Sequence, residues 1–516
     1  MKIKTINWMI AIAMLITLGT PVRLAAQEQK EEKKGHHHYK LVDLAPFGGP
    51  NSSYLIPSPK GIVNNSGVTV GGADTSTPDP TSTMFNGDAF LSYGFTWQDG
   101  VVHKLGALPG FNSSFPFWVS NSGHAVGVSE NGIDPLTGVR ALEAVFWEKD
   151  GSITDLGTFG GNDSQANAVN DRGQVAGTAL NTIPDPYTVN FSFAGATQAH
   201  AFRWTKSHGM QDLGTLGGTD SAAFYINDRG QIAGYSFTDS TVNPSTGLPT
   251  LHPFLWENGK MMDLGTLGGT FAGPSPFPPQ SLGGLNNRGE VVGTSNLAGD
   301  VNFHPFIWTK SEGMKDLGTL GGTLAFATWI NDAGDVVGLS QTLDDQFDHA
   351  FLWRDGVMTD LGTPGTDPNS QAFSINSRGQ VVGGSFSATT DLHGFLWENG
   401  SIVDLNTLIA NASGATIKIA GDINDRGEIA ALGFDSNGDA RAFLLIPCDQ
   451  DHPDVEGCDF DAVDADTAAQ VRPAQITQPS AIATEAKLSP AERMTRFRSM
   501  MANRNRRFGM PQASPK

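Results

Sequence analysis

Short apolar segments alternate with polar turns along most of the chain, and the same arrangement returns many times. One segment, His349 to Trp353, reads H-A-F-L-W and carries apolar side chains at both alternating sets of positions. Alternation with period two predicts a β-strand, and apolar residues on both sides predict a strand covered on both faces. The dipeptide Asp355-Gly356 follows, and it favours a tight hairpin. The pattern therefore predicts antiparallel strands joined by short turns.

A first landmark of the repeat is a D-L-G turn, and its copies lie 44 to 61 residues apart. Such a period matches the length of one blade of a β-propeller. Two copies are degenerate, K-L-G at Lys104 and D-L-N at Asp404, and the first reads D-L-A. The copies begin at Asp43, Lys104, Asp155, Asp212, Asp263, Asp316, Asp360 and Asp404.

Two further landmarks recur with the same period. An N-x-x-G turn is followed each time by an apolar run, and H-x-F-x-W forms the next strand. The N-x-x-G copies begin at Asn64, Ser120, Asn170, Asn227, Asn286, Asn331, Asn376 and Asn424. The complete H-x-F-x-W copies contain His200 and Trp204, His252 and Trp256, His304 and Trp308, His349 and Trp353, and His393 and Trp397.

Each unit therefore has four short strands, which we call A (before N-x-x-G), B (after it), C (H-x-F-x-W) and D (ending at D-L-G). The first unit is preceded by a lone D strand, Leu41 to Leu44, and the last unit ends on a C strand, Phe443 to Leu445, with no D strand after it. Joined, the two termini complete one sheet and close a ring, which removes exposed strand edges. We predict an all-β propeller of eight four-stranded blades; an open solenoid, which would need polar capping units, is the alternative.

The strings that carry the repeat also resemble a known family. H-A-F-L-W at His349, D-L-G-T-L-G-G at Asp316 and I-N-D-x-G-x-V-V-G at Ile330 are similar to the HAF family of bacterial extracellular repeats. The resemblance covers about Tyr39 to Pro447, nearly the whole mature body. It implies an extracellular repeat protein and assigns no activity.

Long loops fall on one side of this predicted ring. The A–B and C–D links are tight turns, whereas the B–C links are long in the first four units and one D–A link, Phe271–Ser281, is long and proline-rich. Because strands reverse direction at each turn, both long links emerge on the same face. We call it the long-loop face and the other the short-turn face. Decorated faces of repeat proteins commonly bind ligands, although loops also accept length without function.

Five histidines recur at one strand position: His200, His252, His304, His349 and His393. A ring of metal ligands is one reading, but equivalent positions in different blades lie far apart. We instead predict buried imidazoles that bond to a nearby turn carboxylate such as the D-L-G aspartate. The tryptophans of the same strand (Trp204, Trp256, Trp308, Trp353 and Trp397) are predicted to be core residues.

One segment has the oxygen spacing of a calcium site. Asp435, Asn437 and Asp439 follow D-x-N-x-D, which places three oxygens around Ca²⁺. The closing glutamate of an EF-hand is missing, and turn chemistry predicts the same residues at a B–C hairpin. Calcium is thus a weak candidate here. No other cofactor is expected, and the sequence contains no G-x-S-x-G, H-E-x-x-H or P-loop motif.

The ends of the chain differ from the repeat. Residues 1–26 have a basic start, an apolar run and a small-residue cleavage site, which predicts a signal peptide, and residues 27–38 form a charged leader containing three consecutive histidines. The repeat ring occupies residues 39–447. Residues 448–486 form an acidic lobe and linker, in which Cys448 and Cys458 predict a local disulfide of an exported protein.

Charge divides the chain. The net charge is −20, yet residues 487–516 hold eight basic residues and one acidic residue, so nucleic acid is not expected as a partner of the ring. A capping box at Ser489 predicts a short basic helix in this tail, and a disordered tail is the alternative. An aperiodic disordered chain would not carry 10 Trp and 30 Phe, so the body folds.

These observations favour an exported, monomeric, non-enzymatic β-propeller without a transmembrane segment in the mature chain. Its ligand would be a protein or a carbohydrate held by the long-loop face. One alternative is an extracellular polysaccharide hydrolase or lyase with catalytic residues on that face, an analogy at fold level only. The other is a cell-surface scaffold held by the basic tail.

Overall fold

In a computed structural model, residues 35–54, 60–79, 90–133, 140–185, 197–243, 248–273, 283–300, 302–387, 392–409, 414–453 and 455–460 are described. Their regular structure is β-strand, apart from two short 3-10 helices, Leu343–Asp345 and Leu405–Thr407. The signal peptide, most of the leader and the basic tail lie outside these residues.

The first half of the chain forms one lone strand and four units of four strands. The strands are β1 (Tyr39–Asp43); β2 (Gly48–Ser53), β3 (Thr69–Pro78), β4 (Phe90–Gln98) and β5 (Val101–Leu105) of unit 1; β6 (Ser114–Val119), β7 (Ala125–Ile133), β8 (Arg140–Trp147) and β9 (Ile153–Asp155) of unit 2; β10 (Ser164–Val169), β11 (Val175–Pro184), β12 (Thr197–Thr205) and β13 (Gly209–Asp212) of unit 3; β14 (Ser221–Ile226), β15 (Ile232–Val242), β16 (Pro249–Glu257) and β17 (Lys260–Asp263) of unit 4.

The second half continues the series, with the A strand of unit 5 split in two. The strands are β18 (Gly268–Gly273), β19 (Gly284–Leu285), β20 (Val291–Leu297), β21 (Phe303–Thr309) and β22 (Gly313–Asp316) of unit 5; β23 (Gly321–Ile330), β24 (Val336–Thr342), β25 (Asp348–Arg354) and β26 (Val357–Gly362) of unit 6; β27 (Asn369–Ile375), β28 (Val381–Phe386), β29 (Leu392–Glu398) and β30 (Ser401–Asp404) of unit 7; β31 (Thr416–Ile423), β32 (Ile429–Phe434) and β33 (Ala440–Pro447) of unit 8.

Within a unit the strands pair antiparallel in chain order, A to B to C to D. In unit 6, for example, one row of the sheet runs Ala327, Gly338, Phe351 and Asp360 across β23 to β26. The A strands carry register shifts, as at Ala327/Trp329, because an extra residue bulges out of the ladder. Inner A strands of successive units contact one another, which places them around a common axis.

The chain termini close the ring. Strand β1 pairs antiparallel with β33, with Leu41 opposite Leu445 and Asp43 opposite Phe443, so the first strand supplies the D strand of unit 8. The Leu44 N–H continues the pairing by donating to the Ala442 carbonyl at 2.9 Å. The predicted pairing of N- and C-terminal strands is confirmed.

This architecture is a β-propeller, as the repeat predicted. The described strands form six hydrogen-bonded sheets, five of which have four strands each. Units 4, 5 and 6 instead belong to one larger sheet, because single parallel contacts such as Leu251 to Phe271 join them. Since those three units share one hydrogen-bonded sheet, the count of eight separate blades stays a prediction.

The core lies between the sheets. The phenylalanines of the C strands, from Phe202 to Phe443, are at most 1 % exposed, and Trp204, Trp256, Trp308 and Trp353 are buried beside them. Trp397 is only partly buried and packs against the same core. Apolar residues on both faces of each C strand are thereby removed from water, which is the dominant favourable contribution to folding.

Candidate functional site

The asparagines of the N-x-x-G turns join neighbouring units around the axis. The Asn227 side chain donates to the Asn286 backbone carbonyl at 3.0 Å, and its Oδ1 accepts the Arg229 and Gln231 N–H groups of its own turn. Because each such side chain bonds both within its turn and to the next unit, it fixes the spacing of the units. The same link to the next unit is made by Asn64, Asn170, Asn286, Asn331, Asn376 and Asn424.

This hydrogen-bonded circle closes across the chain termini. The Asn424 Nδ2 of unit 8 donates to the Asn64 carbonyl of unit 1 at 2.8 Å. Ser120 stands where unit 2 would have its asparagine and has no amide to donate, so the described residues show no corresponding bond to unit 3. The turn pattern predicts only turn formers at these positions, although the recurrence of asparagine in seven of eight copies was a signal for this second role.

A cavity of about 180 Å³ opens on the axis at the short-turn face. Its rim consists of the residues that follow the repeat asparagines, and they also bond from unit to unit: the Asp171 N–H donates to Asp228 Oδ1 at 3.1 Å, and the Asn287 N–H to Asp332 Oδ1 at 2.7 Å. The rim comprises Asn65, Asn121, Asp171, Asp228, Asn287, Asp332, Ser377 and Asp425.

Three aromatic rings from alternate units meet beneath this rim. The Tyr225 ring centroid lies 5.5 Å from that of Trp329, and the Trp118 centroid lies 6.3 Å from Trp329 and 6.5 Å from Tyr225. Glycines make room for them, since a Cβ at Gly61 would overlap the Trp118 ring. The cavity therefore has a polar rim and aromatic side chains at its base. Most of the rim groups already form hydrogen bonds that join the units.

The repeated histidines contact the D-L-G aspartates in four units. Nδ1 of His200 lies 2.8 Å from Asp212 Oδ2, and the pairs His252–Asp263, His304–Asp316 and His349–Asp360 have the same geometry at 2.8 to 2.9 Å. The imidazoles are half-buried rather than buried, with 14 to 20 % of these four side chains exposed. Each pair fastens the C strand of a unit to its own D strand.

His393 departs from the predicted partner. Its Nδ1 lies 2.8 Å from Asp367 Oδ2, whereas Asp404, the D-L-N aspartate of its unit, accepts the Asn406 N–H at 2.9 Å. The turn of this unit is also degenerate, since Asn406 replaces the glycine and its amide donates to Asp404 at 2.8 Å.

The Asp435 segment forms the hairpin turn between β32 and β33. Asp435 Oδ1 accepts the Asn437 and Asp439 N–H groups at 2.8 and 3.0 Å, and Oδ2 accepts from Arg441 at 2.9 Å. Both carboxylate oxygens thus serve the turn and an arginine, as turn chemistry requires. Calcium binding at Asp435, Asn437 and Asp439 stays a prediction. Within the described ranges, no group of three or more His, Cys, Asp or Glu side chains is arranged to hold a metal ion.

The predicted disulfide is present, and its lobe packs on the ring. Cys448 and Cys458 are bonded, with Cα atoms 5.3 Å apart. His452 is buried between Asp449 and Glu428, with nitrogen–oxygen distances of 2.7 and 3.3 Å. Burial lowers the pKa of His452, but hydrogen bonds to Glu428 and Asp449 outweigh burial and hold its pKa above the ordinary value. The lobe is thus fixed to unit 8.

The last residues of the charged leader also contact the ring. His36 is 1 % exposed, and its Nδ1 lies 3.0 Å from Glu398 Oε1. His38 Nδ1 lies 3.2 Å from the Leu408 carbonyl, and its own carbonyl accepts the Cys448 N–H. The first and third of the leader's three consecutive histidines are therefore bonded to the ring.

The long-loop face is described only in part. Most residues of the four long B–C links and of the proline-rich link after Phe271 lie outside the described ranges. The strands that lead into the B–C links are described, and in units 1 to 4 the B strands have 9 to 11 residues. In units 5 to 8 they have 6 or 7. The first four hairpins therefore extend further from the ring.

Fold and site together define a β-propeller with a self-bonded axial ring and a decorated face. No helix in the described part of the chain is both long and apolar enough to cross a membrane. No family model and no curated protein matches the chain. Its resemblance to the HAF family therefore stays a prediction.

Solved structures with low sequence identity resemble the chain. The β-propeller domain of the Trilobed protease from Pyrococcus furiosus is 11 % identical with a TM-score of 0.41, over 71 % of this chain and 98 % of that one. A puromycin-hydrolysing peptidase from Mycobacterium tuberculosis is 11 % identical with a TM-score of 0.41, over 75 % and 61 %. TolB from Acinetobacter baumannii is 11 % identical with a TM-score of 0.30, over 73 % and 79 %.

Proposed function

We propose that the protein is an exported β-propeller that binds a protein ligand at its long-loop face. The observation that supports this most is the set of four neighbouring hairpins that extend from units 1 to 4. In each, pairing between the B and C strands shifts register near the edge of the ring and then resumes further out, as at Leu180/Pro184 in unit 3 and Phe237/Val242 in unit 4.

Apolar side chains lie exposed on three of these hairpins. Ile133 of unit 2 is 60 % exposed, Ile183 of unit 3 is 52 % exposed and Val242 of unit 4 is 39 % exposed. They occupy neighbouring units on one face, each at or next to the end of its B strand. Exposed aliphatic groups repeated at one position of neighbouring units offer another protein apolar surface, because burying them recovers the hydrophobic free energy. This favours a protein over a carbohydrate as the ligand.

The test compares a hairpin variant with a matched control. Ile133→Asp, Ile183→Asp and Val242→Asp are combined in one variant, and Val357→Asp, which alters a 62 % exposed valine of β26, serves as the control. Immobilised full-length protein is exposed to the envelope and culture proteins of its source, and retained proteins are quantified. We expect one stoichiometric partner that wild type and control retain and the hairpin variant loses.

The other outcomes distinguish the alternative ligands and roles. Retention of the same partner by the hairpin variant would show that the proposed face is wrong. Binding to a glycan array without turnover would favour the carbohydrate ligand, and release of reducing sugar from a polysaccharide would favour a hydrolase. Loss of envelope association on deleting residues 487–516 alone would favour the scaffold role.

A further inference from the structure

A second cavity lies in the cleft between units 3 and 4 at the short-turn face. It measures about 360 Å³, within the range of pockets that bind small molecules. Its walls include the N-x-x-G turns of both units and the C–D turn of unit 4. Three arginines, Arg172, Arg203 and Arg229, line it together with Gln174, Gln231 and Trp256.

Arg203 departs from the repeat. It occupies the fourth position of H-x-F-x-W, where the later units have the buried residues Leu255, Ile307, Leu352 and Leu396. Its guanidinium carbon lies 5.7 Å from the centre of the Trp256 ring, which holds the side chain against unit 4. Its Nε is buried and has no hydrogen-bond partner among the described residues. A buried, unpartnered cationic donor is costly, so Arg203 occupies this position at the expense of stability.

The two turn arginines also lack the partner that other units provide. In units 5 and 8 the turn arginine pairs with an acidic residue two positions later, Arg288 with Glu290 at 2.7 Å and Arg426 with Glu428 at 3.4 Å. In units 3 and 4 that position holds glutamine. The glutamine oxygens are used within the turns, since Gln174 Oε1 accepts from Asn170 and Gln231 Oε1 from Asn227.

The turn of unit 4 packs against Arg172 of unit 3 at Gly230. A Cβ placed on Gly230 would lie 3.1 Å from Arg172 Nη2 and 2.8 Å from Gln174 Oε1, so the turn of unit 4 lies directly against the arginine of unit 3. Arg229 is held along the next turn by donating to the Arg288 carbonyl at 3.3 Å.

Glu257 is the one carboxylate among the described residues that line the cleft. Its Oε2 accepts from Lys310 at 2.9 Å and its Oε1 from Gln231 at 2.9 Å. Three arginines therefore line the cleft together with one carboxylate that is already engaged, in a chain whose net charge is −20. The positive charge is local to the cleft.

We propose that this cleft binds the oxyanion group, a carboxylate or a phosphate, of a small polar molecule. Guanidinium groups match such groups geometrically, because paired N–H donors meet paired oxygens. The ligand would be held by the guanidinium groups of Arg203 and Arg172, and Arg229 would add positive charge at the cleft. The site lies on the face opposite the proposed protein ligand and does not depend on it.

Calorimetric titration of the full-length protein at low ionic strength tests the site. The probes are inorganic phosphate and glucuronate, with neutral glucose as the uncharged control. Arg203→Leu introduces the residue that units 4, 6 and 7 use at this position, and Arg172→Ala removes a second cation without touching the core. Arg288→Ala is the matched control, because its arginine already pairs with Glu290.

We expect an anion to bind, and its affinity to fall about tenfold or more in Arg203→Leu and Arg172→Ala but not in Arg288→Ala. The anion bound more tightly identifies the ligand as a phosphate or a carboxylate. Binding of neither anion, equal binding of glucose, or unchanged binding by both cleft variants would overturn the proposal. If circular dichroism shows Arg203→Leu to be unfolded, Arg172→Ala decides the result.

Discussion

Single residues of this protein act mainly by joining neighbouring elements. Each repeated histidine lies between two strands, one nitrogen directed at a carboxylate and the ring half-buried, as in His200 with Asp212. The asparagine of each turn acts between units in the same way, as Asn227 does with Asn286. The polar residues of the repeat therefore join strands and units to one another. Polar side chains that have no such structural role occur where a unit departs from the repeat, as at Arg203.

The His200–Asp212 pair makes stability depend on pH. Burial lowers the pKa of His200, but the hydrogen bond to Asp212 and the neighbouring carboxylates outweigh it and hold the pKa above the ordinary 6.5. Burial raises the pKa of Asp212, but His200 and the Gly214 N–H outweigh it and hold that pKa below the ordinary 3.8. The contribution of His200 to the free energy of unfolding is therefore fully present below pH 6.5, and it is lost as the pH rises through the pKa of the folded state.

The aspartate contribution has the opposite sign: it is present above pH 3.8 and lost as pH falls through the lowered pKa. Since Asp212 is 44 % exposed, the His200–Asp212 pair contributes less than about 1 kcal/mol to the free energy of unfolding.

We expect Asp212→Asn to lower the pKa of His200, measured by NMR titration of its ring protons. Asp263→Asn, which alters the equivalent pair of unit 4, should leave His200 unchanged. An unaltered His200 pKa in Asp212→Asn would contradict the assigned partner.

Elements are constrained by close packing within each sheet. In the B strand of unit 6, Gly338 lies between the bulged A strand and the C-strand phenylalanine. A Cβ there would lie 2.0 Å from the Phe326 carbonyl oxygen and 2.8 Å from the Phe351 ring. Glycine is required because the backbone of the inner strand approaches so closely, and the bulge at Ala327/Trp329 brings it there.

Gly338→Ala should therefore destabilise the protein by about 2 kcal/mol, because the inner strand or Phe351 must move. The measurement is the free energy of unfolding from denaturant titration. Gly106→Ala is the control, since nothing lies within 4 Å of a Cβ at that glycine, and it should change stability by less than about 0.5 kcal/mol. Equal effects of the two substitutions would show that the close approach is not the cause.

The whole molecule depends on closing the ring where its termini meet. Besides the β1–β33 pairing, Asp422 of unit 8 is fully buried at this junction, and its Oδ2 accepts the Ile62 and Val63 N–H groups of unit 1 at 3.1 and 3.2 Å. Its Oδ1 accepts from Ser374 of unit 7 at 3.1 Å. One carboxylate thus connects three units. Burial raises its pKa, and Lys60 and these donors oppose that effect.

Asp422→Ala should lower the free energy of unfolding by about 3 kcal/mol, since two backbone N–H groups lose their buried acceptor. Hydrogen exchange should then quicken first in β1 and β31 to β33. Asp425→Ala removes a half-exposed carboxylate that accepts from Ser377 and Asn65 at 2.8 and 2.7 Å, and its effect should be smaller. Uniform exchange across all units in Asp422→Ala would show that closure does not depend on this residue.

The amino-acid sequence by itself determined the features that are local along the chain, namely the strands, the D-G and N-x-x-G turns and the Cys448–Cys458 disulfide, and also the closing pair of strands. Hydrophobic alternation and turn residues specify these because they depend on neighbours along the chain. The closing pair followed from counting strands, since a ring leaves no strand edge unpaired.

Only the tertiary structure decided which residues meet between units. Asn227 bonds to the next turn, His393 pairs with Asp367, and Arg172, Arg203 and Arg229 line one cleft, although the residues of each set lie 26 to 59 positions apart. The physical reason is that these contacts depend on how one sheet packs against the next around the axis. That packing is set by the combined shapes of both sheets, and the spacing of residues within one sheet does not specify it.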